Sequence, residues 1–171
     1  MVASYQQIVL ILSKIIADLD IIKVIDDNNF DFRIVVQKVG YIYQKVGQNL
    51  GLRFGWFSLG PYSKSLQNLY SAIATTIEGI RRRDIDPSKE LDNDTQMAIK
   101  NVIEFLEEFR SCVGILDPKS LEVLASLIMV CSDIYPKPGD PVEELLKKKK
   151  NLSREFVKNI WRFLVDKNIC G

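Results

Sequence analysis

Residues 51–63 read GLRFGWFSLGPYS, a glycine-punctuated and aromatic-rich segment between two segments of strong helical periodicity. Large aromatic side chains alternate here with glycines, which suits a backbone that other elements approach closely. Gly60-Pro61 is a turn signal, because glycine tolerates positive φ and proline presets φ near its helix-entry value. We therefore expect a short extended segment, a tight turn at Gly60-Pro61, and a helix that has either Pro61 in its first turn or Ser63 as its N-cap.

Helical periodicity extends on both sides of this segment. A largely buried first helix is predicted over residues 4–19, and a second over residues 31–49 with Gly51 as a C-terminal cap. After the central segment, residues 66–80 carry the cleanest apolar pattern at helical spacing in the chain. Three arginines at 81–83 follow it, and they suit the negative end of a helix dipole.

The later helices begin or end at recognisable capping residues. The fourth closes at Gly114 and counts Met97 among its inward-facing residues. Asp117-Pro118 and Asp140-Pro141 are each an N-cap followed by a proline at the first helical position. Ser153 is expected to cap the last helix. These signals predict three helices in the final third of the chain.

Together these patterns predict a compact, mainly α-helical single domain over residues 1–171, with six or seven helices and at most a small β element at 53–59. Its length and apolar content are sufficient for a hydrophobic core without disulfides or metal. The core is expected to include Leu12, Ile16, Val35, Val39, Ile42, Trp56, Leu69, Ile73, Ile77, Val102, Leu106, Leu124, Ile128, Ile160 and Trp161.

Composition excludes the commonest catalytic constellations. The sequence has no histidine, which removes the most frequent general base, metal ligand and partner of a catalytic Ser or Cys. The serines near the turn, Ser58, Ser63 and Ser65, lack a nucleophile elbow and are assigned to capping and turns. We therefore predict no catalytic set, no metal site and no cofactor, and we expect that the protein is not an enzyme.

The cysteines are three in number and widely spaced, at Cys112, Cys131 and Cys170. This pattern suggests neither a disulfide framework nor a zinc site; two are expected in the core, and Cys170 as a loose terminal thiol. No apolar run approaches the ~20 residues that span a bilayer, and the first residues lack the order of a signal peptide. A soluble, cytoplasmic protein that does not enter membranes is therefore expected.

Part of the sequence resembles a known family. Arg33, Gln37-Lys38, the run 51–56 and Gly60-Pro61-Tyr62-Ser63 with Leu66 are similar to the YwgA-like and Panacea (SocA-like antitoxin) group. In those domains a helix with a Gln-Lys pair precedes an aromatic segment that ends in a Gly-Pro turn. The resemblance covers residues 32–69, and it implies a mainly helical adaptor or antitoxin-like protein without an established catalytic set.

The central segment supplies the candidate partner-binding residues, which are Tyr62, Phe57, Arg53 and Lys38. Two interpretations remain open for its aromatic residues: a ledge that binds a partner, or a plug that packs the second helix against the third. Tyr62 is the best candidate for the ledge, since it follows a turn proline and carries a polar tip. For Gln37 and Lys38 we expect a hydrogen bond to the turn around Gly60 rather than lysine chemistry.

Charge is unevenly distributed along the chain. Lys and Arg total 23 against 22 for Asp and Glu, yet residues 141–171 carry eight basic and four acidic residues, a net charge of +4. A short helix and a longer helix over 140–167 resemble a helix-turn-helix, which would use basic side chains for phosphate and base contact. The candidate nucleic-acid-binding residues are Lys148, Lys149, Lys150, Arg154, Lys158 and Arg162. The alternative is that these lysines satisfy a helix C-terminus and keep the surface polar.

Three functions of different classes follow from the sequence. The first is a protein-binding adaptor or antitoxin-like regulatory module, with a protein as its partner. The second is a DNA-binding regulator that uses the C-terminal helix pair, and the third is an unspecified histidine-free enzyme. The resemblance and the missing catalytic chemistry favour the first. The sequence specifies neither the identity of a partner nor an oligomeric state.

Overall fold

The computed structural model describes residues 3–171, and within that range the chain forms eight α-helices, a short 3-10 helix and a two-stranded antiparallel sheet. The elements in chain order are α1 (Tyr5–Leu19), α2 (Phe30–Val46), β1 (Gly55–Phe57), β2 (Gly60–Tyr62), α3 (Lys64–Gln67), α4 (Tyr70–Arg81), the 3-10 helix Pro87–Lys89, α5 (Asn93–Val113), α6 (Pro118–Ser132), α7 (Pro141–Lys148) and α8 (Arg154–Asp166). The predicted class, mainly helical with a small β element, is confirmed.

Capping residues fix the ends of the helices where the sequence placed them. Ser4 caps α1, and Asp117 caps α6 with Pro118 at its first position. Asp140 and Ser153 accept hydrogen bonds from the first-turn N–H groups of α7 and α8. Each of these caps satisfies N–H groups that have no partner within their own helix, so these boundaries are local properties of the sequence.

The helix predicted over residues 66–80 divides in two, which raises the helix count above the predicted six or seven. The break lies at Asn68 and Leu69, where the Leu69 N–H bonds to the carbonyl of Leu66, three residues back. Ser63 is the N-cap of the short α3, so the prediction of Ser63 as N-cap is confirmed and the alternative, Pro61 in the first turn, is wrong.

Helix α6 occupies the centre of the fold. All residues from Ser120 to Val130 are buried, and α6 packs against α2, α7, α8 and β2. Helix α1 lies on the other side of the core, against α2, α4 and α5. A helix that is apolar around most of its circumference belongs in the interior. Neighbouring elements therefore surround α6, and no face of the helix between Ser120 and Val130 is exposed.

The hairpin corrects the predicted turn. Phe57 pairs with Gly60 and Gly55 with Tyr62, so the turn residues are Ser58 and Leu59, and Gly60-Pro61 forms part of β2. Gly60 has a φ of +91°, and a Cβ built on it would lie 2.1 Å from the Ser126 Oγ on α6. The positive φ and the close approach of α6 together require glycine at this position, which lies outside the two-residue turn.

Helix α2 ends earlier than predicted. Its C-cap is Gly47 rather than Gly51, which lies in the following loop. The Gln44 side chain explains the shift, since its Oε1 accepts the N–H groups of Leu50 and Leu52 and its Nε2 donates to the Leu52 carbonyl. These bonds hold the chain after α2 in a turn back along the helix.

Burial confirms most of the predicted core and corrects three residues. Trp56 and Trp161 are half-buried and pack against the edge of the core, and Met97 is exposed. Phe163 takes a place that the sequence pattern had not assigned, buried against Phe105 and Phe109 with ring centroids 5.2 and 5.4 Å apart. The remaining predicted core residues are all buried.

The cysteine prediction is wrong about the absence of a disulfide and about a loose Cys170. Cys131 at the end of α6 forms a disulfide with Cys170, 39 residues later, and Cys170 is buried rather than loose. The free, exposed thiol is Cys112 on α5. The bond joins the C-terminal tail to the central helix, a pairing that spacing alone does not reveal because the two residues meet only in the tertiary structure.

Candidate functional site

A groove of about 300 Å³ opens between α2 and the hairpin. Five elements and the hairpin turn contribute to it: one face of α2 meets both strands, and α3 and α4 close one side. Its lining residues are Phe30, Arg33, Ile34, Gln37, Lys38, Phe57, Ser58, Leu59, Gly60, Tyr62, Gln67 and Tyr70. The volume lies at the small end of ligand sites and fits one large side chain with its neighbours.

Aromatic side chains form the rim of the groove. Phe30, at the start of α2, is 63 % exposed, and Phe57, at the end of β1, is 47 % exposed. The Phe57 ring packs on the half-buried Tyr62 ring at a centroid distance of 5.0 Å. Two phenylalanines 27 residues apart in sequence thus border one concave surface with much of their apolar area in water.

Arg33 provides the exposed positive charge of the groove. Its Nε donates to the Asp27 carbonyl at 2.7 Å, and its guanidinium lies 5.6 Å from the centroid of the Tyr70 ring. The described residues that line the groove include no Asp or Glu. The groove therefore combines apolar walls with an uncompensated positive charge.

Gln37 and Lys38 join α2 to the hairpin from below the groove. The Gln37 amide accepts the Ser63 N–H at 2.8 Å and donates to the Ser63 carbonyl at 3.0 Å and the Tyr70 hydroxyl at 2.9 Å. The Lys38 ammonium donates to the Pro61 carbonyl at 2.7 Å. The expectation that one of this pair holds the backbone around Gly60 is confirmed for both residues.

The hydrogen bonds of Gln37 should contribute to the free energy of unfolding. Replacing Gln37 with Leu leaves the buried N–H and carbonyl of Ser63 without a partner, and we expect a loss of about 2 kcal/mol in the free energy of unfolding. Gln67→Leu is the matched control, since Gln67 is exposed at the same groove. Urea unfolding of the two variants gives the comparison. Equal stabilities would show that the Gln37 amide does not hold the hairpin.

Lys38 is an unusual lysine because it is 2 % exposed. Burial lowers the pKa of its ammonium to about 7, and the charge of Lys149 adds to this effect, while the carboxylate of Glu122 opposes it. Glu122 is itself buried on α6, where Lys119 lies 3.1 Å and Lys149 3.8 Å from the same carboxylate oxygen. The buried Glu122 carboxylate therefore pairs with the exposed Lys119 and the buried Lys149, and its charge also acts on Lys38.

Lys149 holds the other end of the hairpin turn. Its ammonium, on a side chain 9 % exposed, donates to the Ser58 carbonyl at 3.1 Å and lies over the Trp56 ring, 5.6 Å from its centroid. Burial is the main cause that lowers its pKa, and Glu122 opposes the shift. Lys38 and Lys149 therefore bind carbonyls on both sides of Leu59-Gly60, which fixes the hairpin against α2 and α6.

The structure brings together three of the four predicted partner-binding residues. Tyr62, Phe57 and Lys38 line the groove, although Lys38 presents no exposed ammonium; Arg53 is exposed and does not line it. Phe30 was missed. The spacing of Phe30, Ile34 and Gln37 along one helix face contained the signal, since residues i, i+4 and i+7 share a face.

The C-terminal helix pair offers fewer free basic groups than its sequence suggests. Lys149 is buried and is not available to a phosphate, a correction that follows from its contacts with Ser58 and Glu122. Arg154 pairs with Glu143, and Arg162 donates to Asn159 at 3.0 Å. Lys148, Lys150 and Lys158 are exposed, and Lys148 lies 3.7 Å from Glu144. Within residues 3–171 Lys150 and Lys158 form no ion pair, so the helix pair keeps some exposed basic side chains.

Within residues 3–171, no group of Cys, Asp and Glu side chains is arranged to hold a metal ion. None of the helices described is both long and apolar enough to cross a bilayer.

Comparison with known proteins gave no match to a family model, to a curated protein or to a solved structure. The function is therefore argued from the geometry of the groove and from the chemistry of the residues around it.

Proposed function

We propose that the protein is a protein-binding adaptor or antitoxin-like regulatory module, and that the groove between α2 and the hairpin is where its partner docks. The observation that carries this proposal is the pair of exposed phenylalanines, Phe30 and Phe57, on the rim of one groove. Large apolar side chains beside a concave surface are typical of binding sites rather than of ordinary surface.

The support beneath the groove fits this role. Gln37, Lys38 and Lys149 hold the hairpin by hydrogen bonds to its backbone, so the groove is preformed. A preformed site loses less conformational entropy on binding than a flexible one. The motif residues that resemble the antitoxin group, Gln37-Lys38 and 60–63, are in contact with each other in this support. They would shape the site rather than contact the partner.

The partner is expected to insert a large apolar side chain between Phe30 and Phe57. Phe57→Ser should weaken binding by about 30-fold, the effect of removing one hot-spot contact of about 2 kcal/mol. Phe30→Ser should have a similar effect. Both residues are exposed, so we expect little change in the melting temperature.

The experiment starts from a protein that copurifies with the chain in stoichiometric amount in its native host. That protein is then purified separately, and its affinity for the wild type and the variants is measured by calorimetry. Tyr135→Ser is the matched control, since Tyr135 is an aromatic residue 94 % exposed and outside the groove. A partner that binds Phe57→Ser and Phe30→Ser as well as wild type would exclude the groove. The absence of any stoichiometric partner would contradict the adaptor function.

A further inference from the structure

The groove is positively charged as well as apolar. Its exposed cationic side chain is Arg33, since the Lys38 ammonium is buried and bonded to the Pro61 carbonyl, and among the described residues that line it none is acidic. The chain as a whole is nearly neutral, with 23 basic and 22 acidic residues. A local surplus of positive charge at an apolar groove favours a ligand that carries negative charge beside an apolar group.

Arg33 is oriented for such a ligand. Its Nε donates to the Asp27 carbonyl and its Nη2 to the Asn28 Oδ1 at 3.4 Å, while Nη1 donates to no acceptor within residues 3–171. In the same range Arg33 forms no ion pair with a carboxylate. The guanidinium carbon lies over the Tyr70 ring, 5.6 Å from its centroid, and these contacts restrict the side chain. A fixed guanidinium with free N–H groups is well suited to bind a carboxylate.

The nearest acidic residue in sequence does not neutralise this arginine. Asp31 lies two positions before Arg33 on α2, and residues two apart on a helix point in different directions. The charge of Arg33 therefore remains available beside the apolar rim.

We propose that the groove binds a carboxylate-bearing peptide segment of the partner, with the carboxylate at the Arg33 guanidinium and a neighbouring large apolar side chain between Phe30 and Phe57. The inference rests on the proposed function, which places a partner protein in this groove. It adds the chemistry of the segment: an Asp, a Glu or a free C-terminus next to an aromatic or long aliphatic residue.

The test uses peptides as the probe. A phage-displayed library of random 12-residue peptides is selected against the full chain, and the enriched peptides should place an acid beside a large apolar residue. One such peptide is then synthesised with its acid and with the corresponding amide. The amide should bind wild type about tenfold more weakly, as expected for the loss of one charge-assisted hydrogen bond.

Variants assign the effect to Arg33. In Arg33→Gln the acid and amide peptides should bind equally, while Arg33→Lys, which keeps the charge but not the planar fork, should retain part of the difference. Arg53→Gln is the matched control, because Arg53 is an exposed arginine near the hairpin but outside the groove. It should keep the full tenfold difference. Circular dichroism of each variant confirms that the fold is intact.

The outcomes separate the two proposals. Peptides that need Phe57 but bind equally as acid and amide would overturn the carboxylate inference and leave the groove as the docking site. Enriched peptides that bind Phe57→Ser as well as wild type would overturn both, and so would a selection that enriches no peptide. A tenfold difference that persists in Arg33→Gln would place the carboxylate elsewhere.

Discussion

Gly60→Ala should destabilise the protein by about 2 to 5 kcal/mol. Gly60 has a φ of +91°, a conformation that costs an L-residue roughly 1 to 2 kcal/mol. The added Cβ would also lie 2.1 Å from the Ser126 Oγ, and overpacking of a buried contact costs roughly 1 to 3 kcal/mol more. Urea unfolding of Gly60→Ala and wild type at one pH measures the sum.

Two further variants separate the two contributions. Gly114→Ala is the control for backbone strain, because Gly114 has a φ of +94° and a Cβ there would meet no described atom within 4 Å. It should lose about 1 to 2 kcal/mol. Ser126→Ala removes the clashing oxygen, which has no hydrogen-bond partner in the described part of the chain. Gly60→Ala should therefore be less destabilising in the Ser126→Ala background. Equal losses in Gly60→Ala and Gly114→Ala would show that α6 does not press on the hairpin.

The stability of the wild type should rise between pH 7 and pH 9.5 by about 3 kcal/mol through Lys38 alone. The pKa of Lys38 is about 7 in the folded protein against 10.5 for a free lysine. Below pH 7 both states carry the proton, and the folded state bears the full penalty of a buried charge. As pH rises, the folded state loses the proton first, so the penalty declines and is gone above pH 10.5.

Other ionisable groups near Lys38 determine how the pH dependence of the stability is measured. The charges of Glu122 on α6 and of Lys149, directly after α7, act on it, and the lowered pKa of Lys149 acts in the same direction. Burial raises the pKa values of Tyr41 and Tyr43 in the folded protein, so ionisation of these tyrosines in the unfolded chain, near pH 10, would lower the stability. The measurement therefore ends at pH 9.5. Lys38→Met keeps the length of the side chain and should show a much smaller rise, measured by urea unfolding across this range. Lys150→Met, at an exposed lysine, should keep the wild-type rise; a rise unchanged in Lys38→Met would contradict the assignment.

The helical part of the fold could be predicted because its signals are local. Asp117, Asp140 and Ser153 cap helices in the structure as their sequence context predicts. A cap needs a side-chain oxygen two or three residues from the N–H groups that it satisfies, so neighbours in sequence suffice. Apolar periodicity located most of the core for the same reason. Met97 shows the limit, since the periodic pattern identified the helix but not the edge of its buried face.

The groove was only partly predictable. The aromatic segment and the Gln37-Lys38 pair identified the hairpin and its support, because a polar pair on an apolar helix requires partners. Phe30 was missed, as were the buried lysine at Lys149 and its carboxylate Glu122, which meet residues 91 and 27 positions away in sequence. Contacts at such separations leave no periodic trace.

The sequence by itself determined the mainly helical class, several caps and a small β element near residues 53–59, since these depend on groups a few positions apart. Tertiary structure decided where the hairpin turns, which cysteines pair and which lysines are buried. The physical reason is the position of α6. It presses Ser126 against Gly60, brings the charge of Glu122 close to Lys149 and Lys38, and brings Cys131 to the C-terminal tail. Each of these contacts depends on how whole helices pack against one another, so a short stretch of sequence does not reveal it.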